Sequence, residues 1–180
     1  MKFTPGSLEG VLILEPRFFQ DERGFFTELY QAERFAQSGI PANFVQDNLS
    51  GSRRGVLRGL HYQVEQAQGK LVRITTGEVY DVAVDLRRSS PTFGKGMGMY
   101  ISAHNHIQLW IPPGLAHGFY VLSEWAELLY KVTDFYAPRA ERTLLWNDAQ
   151  VGITWPLIGT PLVSEKDQRG KPFAEADLFD

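Results

Sequence analysis

The chain has no cysteine in its 180 residues, which excludes disulfides, thiolate nucleophiles and cysteine metal ligands. No apolar run approaches the ~18 residues of a membrane span. The N-terminus lacks the basic-then-apolar pattern of a secretory signal, so a cytoplasmic location is the expectation. Neither sign of charge dominates: 18 basic and 21 acidic residues leave a net charge of -3, spread along the chain. That balance gives no reason to expect nucleic acid or a membrane surface as partner, and any anionic ligand must be held by local cations. A G-x-S-x-G elbow, a P-loop and a Rossmann glycine pattern are all missing, which removes the common hydrolase, phosphoryl-transfer and dinucleotide readings. Low-complexity tracts, linkers and tandem repeats are not evident. What the chain does have is 43% hydrophobic and 13% aromatic residues, enough for one domain over residues 1–180 with a substantial core.

The hydrophobic pattern predicts short strands. Val11–Leu14 reads as a first strand, in this subunit's sheet or another's, and the turn Asp21–Glu28 enters a second. Residues Gln31–Ser38 suit a short helix with Phe35 inward and Gly39 as its stop. Strands then follow at 44–48, 56–63, 70–76, 78–86, 97–102, 108–111, 118–122 and 126–135, joined by mostly short loops with no helix between them. That spacing means antiparallel β, a barrel or jelly roll, with short peripheral helices. In 126–132 the alternate residues Ala126, Leu128, Tyr130 and Val132 face the core, so the Tyr130 hydroxyl needs a partner or a job. In 78–86, Asp81 and Asp85 fall opposite Tyr80, Val82, Val84 and Leu86, and are expected to face water rather than substrate, although a cavity would also accept them. Further on come a strand at 143–146, the Trp155-Pro156 corner and a closing helix at 173–179.

One strand stands apart. Arg58-Gly59-Leu60-His61-Tyr62-Gln63 places a cation, a glycine and an imidazole in a run that otherwise wants β-branched and aromatic residues. Regular alternation would send Arg58 and His61 to opposite faces. A bulge at Gly59 would slip the alternation by one residue and bring both into one cavity. The plain alternative is a core strand with a single satisfied histidine. Collecting inward or glycine-flanked polar residues gives His61, Lys70, His117, Tyr130, Arg23, Arg58, Lys166 and Asp167: a base, an acid and several cations, suited to proton transfer or metal work. The metal reading rests on His104, His106 and His117, an H-x-H pair plus a third imidazole. Against it, residues 103–106 read as a turn, where exposed histidines are ordinary.

The runs DERGFF (21–26), FVQDN (44–48), GVLRGLHYQ (55–63), QGKLV (68–72), PTFG (91–94), IPPGLAHGF (111–119) and LYK (129–131), followed by Trp155-Pro156 and Lys166-Asp167, resemble the dTDP-4-dehydrorhamnose 3,5-epimerase family, in order along nearly the whole chain. The resemblance implies a cupin jelly roll, a homodimer exchanging N-terminal strands, and a site without metal or other cofactor. Its substrate would be dTDP-4-dehydro-6-deoxy-D-glucose, inverted at C3 and C5 by proton removal and return. His61 matches the general base and Asp167 the carboxylate that orients it. Lys70 matches the cation beside O4, and Tyr130 the acid on the opposite ring face. Arg23, Arg58, His117 and Lys166 match cations suited to pyrophosphate, and Glu28, Gln46, Asp47, Asn48 and Glu141 match other substrate-binding positions, with DERGFF reaching toward a partner's site. Where a Pro-Pro pair is expected between the His and Lys motifs, this chain has Val64-Glu65-Gln66, a loop change. Three alternatives stay open: a C3-only epimerase of the same family, a metal-dependent cupin isomerase or oxygenase, and a non-catalytic sugar-binding cupin.

Overall fold

A computed structural model describes residues 1–41 and 43–180. The expected train of strands is present, arranged as two facing antiparallel sheets. One contains β1 (Lys2–Pro5), β2 (Leu12–Glu15), β10 (Gln108–Ile111), β7 (Lys70–Thr76), β12 (Trp125–Val132) and β5 (Gln46–Arg53), in that order. The other runs β13 (Glu141–Thr143), β6 (Val56–Gln63), β11 (Leu115–Val121), β8 (Glu78–Asp85) and β9 (Gly96–Ser102), with β14 (Leu162–Val163) added parallel to β6. The hairpin of β3 (Phe18–Asp21) and β4 (Gly24–Thr27) stands outside both sheets. This is a jelly roll of the cupin type. Among the described residues no helix is long and apolar enough to cross a membrane.

Three apolar layers hold the sheets. Val72, Ile74, Val79, Ala83, Leu109, Phe119, Val121 and Leu128 pack between them. The outer face of the second sheet, through Leu60, Val82, Val84 and Leu86, is covered by Leu144, Phe173, Trp155 and Phe179 of the C-terminal segment. The outer face of the first packs Leu71 and Trp110 against Phe35 and Ile40 around α1 (Ala32–Gln37). Each such side chain contributes roughly 1.5–3 kcal/mol on full burial.

The second layer corrects the expectation for Asp81 and Asp85, neither of which faces water: both are 0% exposed. Alternation in β8 is regular, but both of its faces are covered, so the face carrying Val79, Asp81, Ala83 and Asp85 is the barrel interior. Apolar residues on the opposite side mark contact with the C-terminal segment. Asp85 is satisfied by Arg87 Nε and Nη2 at 2.9 and 2.8 Å, Ser90 Oγ at 2.6 Å and Thr92 Oγ1 at 2.7 Å. Burial works against its charge, but these donors outweigh it and hold the carboxyl down to about 2.

The bulge at Gly59 is present. His117 pairs with His61 while Phe119 pairs with Arg58, so Gly59 and Leu60 together oppose Gly118 alone. Both glycines are required. Gly59 has φ +121, where a Cβ would lie 2.6 Å from Gly118 Cα and 2.9 Å from His117 O; a Cβ on Gly118 would meet Arg58 O at 2.4 Å. Smaller departures lie at the ends. β1 had no clear apolar signature, the strand expected at 143–146 is Glu141–Thr143, and the tail forms α2 (Glu165–Gln168), capped by Ser164. The closing helix expected over 173–179 is only a 3-10 turn at Phe173–Glu175.

Candidate active site

Between the sheets, a cavity of about 260 Å³ opens where apolar interior positions give way to polar ones. One wall comes from β6 and β11 and carries Arg58, His61, Gln63, His117 and Phe119. The facing wall, from β5, β7 and β12, carries Ser50, Lys70, Leu128 and Tyr130. Tyr136 and Glu141 also line it. The bulge is what puts Arg58 and His61 on this one surface.

His61 is fixed from a distant part of the chain. Its Nε2 and Asp167 Oδ1 are 2.6 Å apart, and Asp167 Oδ2 accepts from the Gly59 amide at 3.1 Å. The bulge therefore tethers the carboxylate as well as placing the imidazole. Asp167 is 3% exposed. Burial disfavours its charge, yet the hydrogen bond and charge of His61 and the Gly59 amide hold its carboxyl below the usual range. An ionised Asp167 accepts only, so Nε2 carries a hydrogen and Nδ1 is left to act as base.

Lys70 is 8% exposed and donates one hydrogen bond, to the His61 carbonyl at 3.1 Å. Desolvation lowers its ammonium to about 8 against the opposing pull of Asp81 and Glu141. Tyr130 faces His61 from the other sheet. Burial, and then the Glu141 charge, push its phenol up while Arg58 pulls it down, so it stands as a proton donor at neutral pH. Base and acid thus approach one cavity from opposite walls, and the buried Lys70 reaches from the acid's wall to the backbone of the base.

Arg58 donates from Nε to Ser52 Oγ at 3.0 Å. At the mouth, Glu141 accepts from the Tyr136 hydroxyl at 2.9 Å and pairs with Lys166. Burial would raise Glu141, but these two donors keep it below the ordinary carboxylate range. Gln46 donates to Asn48 Oδ1 at 2.8 Å and accepts from the Tyr136 amide at 3.3 Å. Asp47, one residue out of phase, points to the outer face of the sheet, where Lys131 Nζ lies 2.9 Å from Oδ2. Besides Asp47, two expected residues stay away from this chain's cavity. Arg23 sits on the β3–β4 hairpin, 85% exposed and paired with Asp21, and Glu28 pairs with Arg34 Nη1 at 2.6 Å. Nor do the three histidines meet. His106 stacks on Phe18 with ring centroids 4.0 Å apart, and His117 is buried against Asp81. Among the described residues, no group of three or more His, Asp or Glu is placed to hold a metal ion.

The family profile described as dTDP-4-dehydrorhamnose 3,5-epimerase matches residues 5–175. The chain belongs to the dTDP-4-dehydrorhamnose 3,5-epimerase family. It is 61% identical over 180 residues to the enzyme of that name from Pseudomonas aeruginosa, covering 99% of each. A dTDP-4-dehydrorhamnose 3-epimerase from Streptomyces niveus is 39% identical, with 98% of this chain and 86% of that protein covered. Among solved structures, the dTDP-6-deoxy-D-glucose-3,5-epimerase from Legionella pneumophila in complex with dTDP-4-keto-L-rhamnose superposes with a TM-score of 0.94 at 48% identity, covering 98% of this chain and 94% of that one.

Within this family frame, two residues escaped the sequence reading. Asp81 hydrogen-bonds His117 inside the barrel, and Gln63 spans the mouth: its Nε2 donates to Gln66 O at 2.9 Å and Phe135 O at 3.2 Å, and its Oε1 accepts from Ala137 N at 2.9 Å. Gln63 was readable as inward from its parity with His61. Asp81 was not, because its strand carries apolar residues on both faces.

Proposed function

We propose that the chain epimerises dTDP-4-dehydro-6-deoxy-D-glucose at C3 and C5, giving dTDP-4-dehydro-L-rhamnose for dTDP-L-rhamnose biosynthesis. The C4 carbonyl makes the hydrogens on both neighbouring carbons acidic. His61 Nδ1 removes the C3 proton, and the electron pair of that C–H bond moves into an enolate whose charge falls on O4. Lys70 lies beside O4 and stabilises that charge, a role worth about 10²–10³ in rate for a donor in a dry site. Tyr130 then protonates C3 from the opposite face, His61 releases its proton to solvent, Tyr130 regains one, and the cycle repeats at C5. Redox chemistry and a metal have no part in these steps. The observation that carries this reading is a single cavity with the His61–Asp167 pair on one wall and Tyr130 and Lys70 on the other.

Arg58, His117 and Lys166 bind the pyrophosphate, and Gln46, Asn48 and Glu141 bind other polar groups of the nucleotide sugar. Arg23 and Glu28 act in trans in a homodimer. The hairpin that carries Arg23, and that Glu28 directly follows, belongs to neither sheet and exposes Phe25 at 64% and Phe26 at 69%, as expected of an element that completes a neighbour's site. Proton NMR of the protein with substrate in D2O tests the reaction: deuterium entering at both C3 and C5 supports it. Deuterium at C3 alone would make the chain a 3-epimerase, the activity for which the Streptomyces niveus relative is named. Binding without exchange would leave a sugar-binding cupin.

A further inference from the structure

Asp81 has no part in the roles above, and its surroundings are unlike those of a structural carboxylate. It is 0% exposed, and among the described residues its only hydrogen-bond donor is His117 Nε2, at 3.1 and 2.9 Å from its two oxygens. Asp85, four residues along on the same face of β8, receives three side-chain partners and the Arg87 amide. A buried anion with one N–H donor is a poor stabilising element by itself, because the loss of hydration outweighs so small a return. Its charge has two further uses within reach. His117 lines the cavity, 7% exposed, and among the described residues its ring makes no hydrogen bond except to Asp81. Lys70, from the opposite sheet, feels Asp81 as its leading favourable charge.

We propose that Asp81 is a positioning residue for the epimerisation: it anchors the Nε2–H of His117 so that the Nδ1–H edge is turned to the pyrophosphate, and it sets a negative charge in the wall facing Lys70. The inference rests on the roles proposed above for His117 and Lys70. A carboxylate can only accept, so the Asp81 bond fixes which ring nitrogen is left for the ligand. The cavity that Lys70 enters is lined by Arg58 and His61 on β6, His117 on β11, Tyr130 on β12 and Glu141 on β13, and Asp81 on β8 adjoins it through its bond to His117. Of these, Asp81 and Glu141 supply negative charge, and Glu141 is already engaged by Lys166 and Tyr136.

Asp81→Asn keeps the shape and an acceptor oxygen but removes the charge. The alkaline limb of kcat, expected near pH 8 in the wild type from the burial of Lys70, should then fall by about one pH unit. At pH 8 the protonated fraction of Lys70 drops from about one half to about one tenth, roughly a fivefold loss of kcat beyond any loss common to all pH values. In the wild-type protein, nitrogen NMR of the His117 ring, assigned by the signal missing from His117→Asn, should show Nε2 protonated. An Asp81→Asn enzyme that loses the same factor at every pH, or a bare Nε2 in the wild type, overturns the proposal. The NMR arm decides it even if the variant does not fold. Failure of the underlying reading looks different: wild-type protein with no solvent exchange at C3, whatever the protonation of the His117 ring.

Discussion

Replacing Gly59 with alanine tests whether the bulge builds the site. The backbone there has φ +121, and the new Cβ would sit 2.6 Å from Gly118 Cα and 2.9 Å from His117 O. The disallowed backbone region costs about 1–3 kcal/mol. Pushing the β6 and β11 backbones apart adds roughly 1–3 kcal/mol more, since neither contact is a flexible side chain. For a chain of this length that amounts to a fall in Tm of roughly 10 °C. The Gly59 amide also anchors Asp167 Oδ2, so His61 should shift with it, and a displacement of about 1 Å costs about a hundredfold in rate. Gly55→Ala is the control: φ is +82 there, but nothing lies within 4 Å of the added Cβ, so only about 1–2 kcal/mol is at stake. Thermal melting and C3 exchange rates of the two variants read both effects. A Gly59→Ala protein that melts with Gly55→Ala and keeps its kcat would refute the argument.

Other expectations follow from the same geometry. Because burial lowers Lys70 to about 8, activity should decline as pH rises through that value, and Lys70→Met should lose about 10²–10³ in rate yet melt at a higher temperature, having removed a buried charge. Asp85 is depressed to about 2, so its contribution of about 2 kcal/mol is present above its unfolded value of 3.8 and is lost as pH falls through about 2. Acid titration should therefore show Asp85→Asn unfolding at higher pH than wild type. Treatment with a strong chelator should leave the exchange rate unchanged, and a loss restored by added divalent metal would contradict the proposed chemistry.

Much of this was legible from residue type and spacing. The strands declared themselves through alternation, and the conflict between Arg58 and His61 over faces pointed to a bulge that the register of β6 against β11 bears out. The pairing of His61 with Asp167, separated by 106 residues, came only through resemblance, since no local pattern links a strand to a distant four-residue helix. Asp81 and Asp85 were misplaced for a physical reason. Alternation reports which residues share a face, but it cannot tell the barrel interior from a second buried face made by the C-terminal segment. Arg23 and Glu28 remain outside this chain's cavity because the hairpin that carries Arg23, and that Glu28 directly follows, is not part of the barrel that forms it.

The central claim is a base and an acid on opposite walls, and the most direct measurement compares deuterium uptake at C3 and C5 in His61→Ala and Tyr130→Phe. With the base removed, exchange at both carbons should be abolished. With the phenol removed, proton abstraction continues, so some exchange should persist while epimerised product falls. Full exchange in His61→Ala, or equal loss of exchange in both variants, would contradict the account.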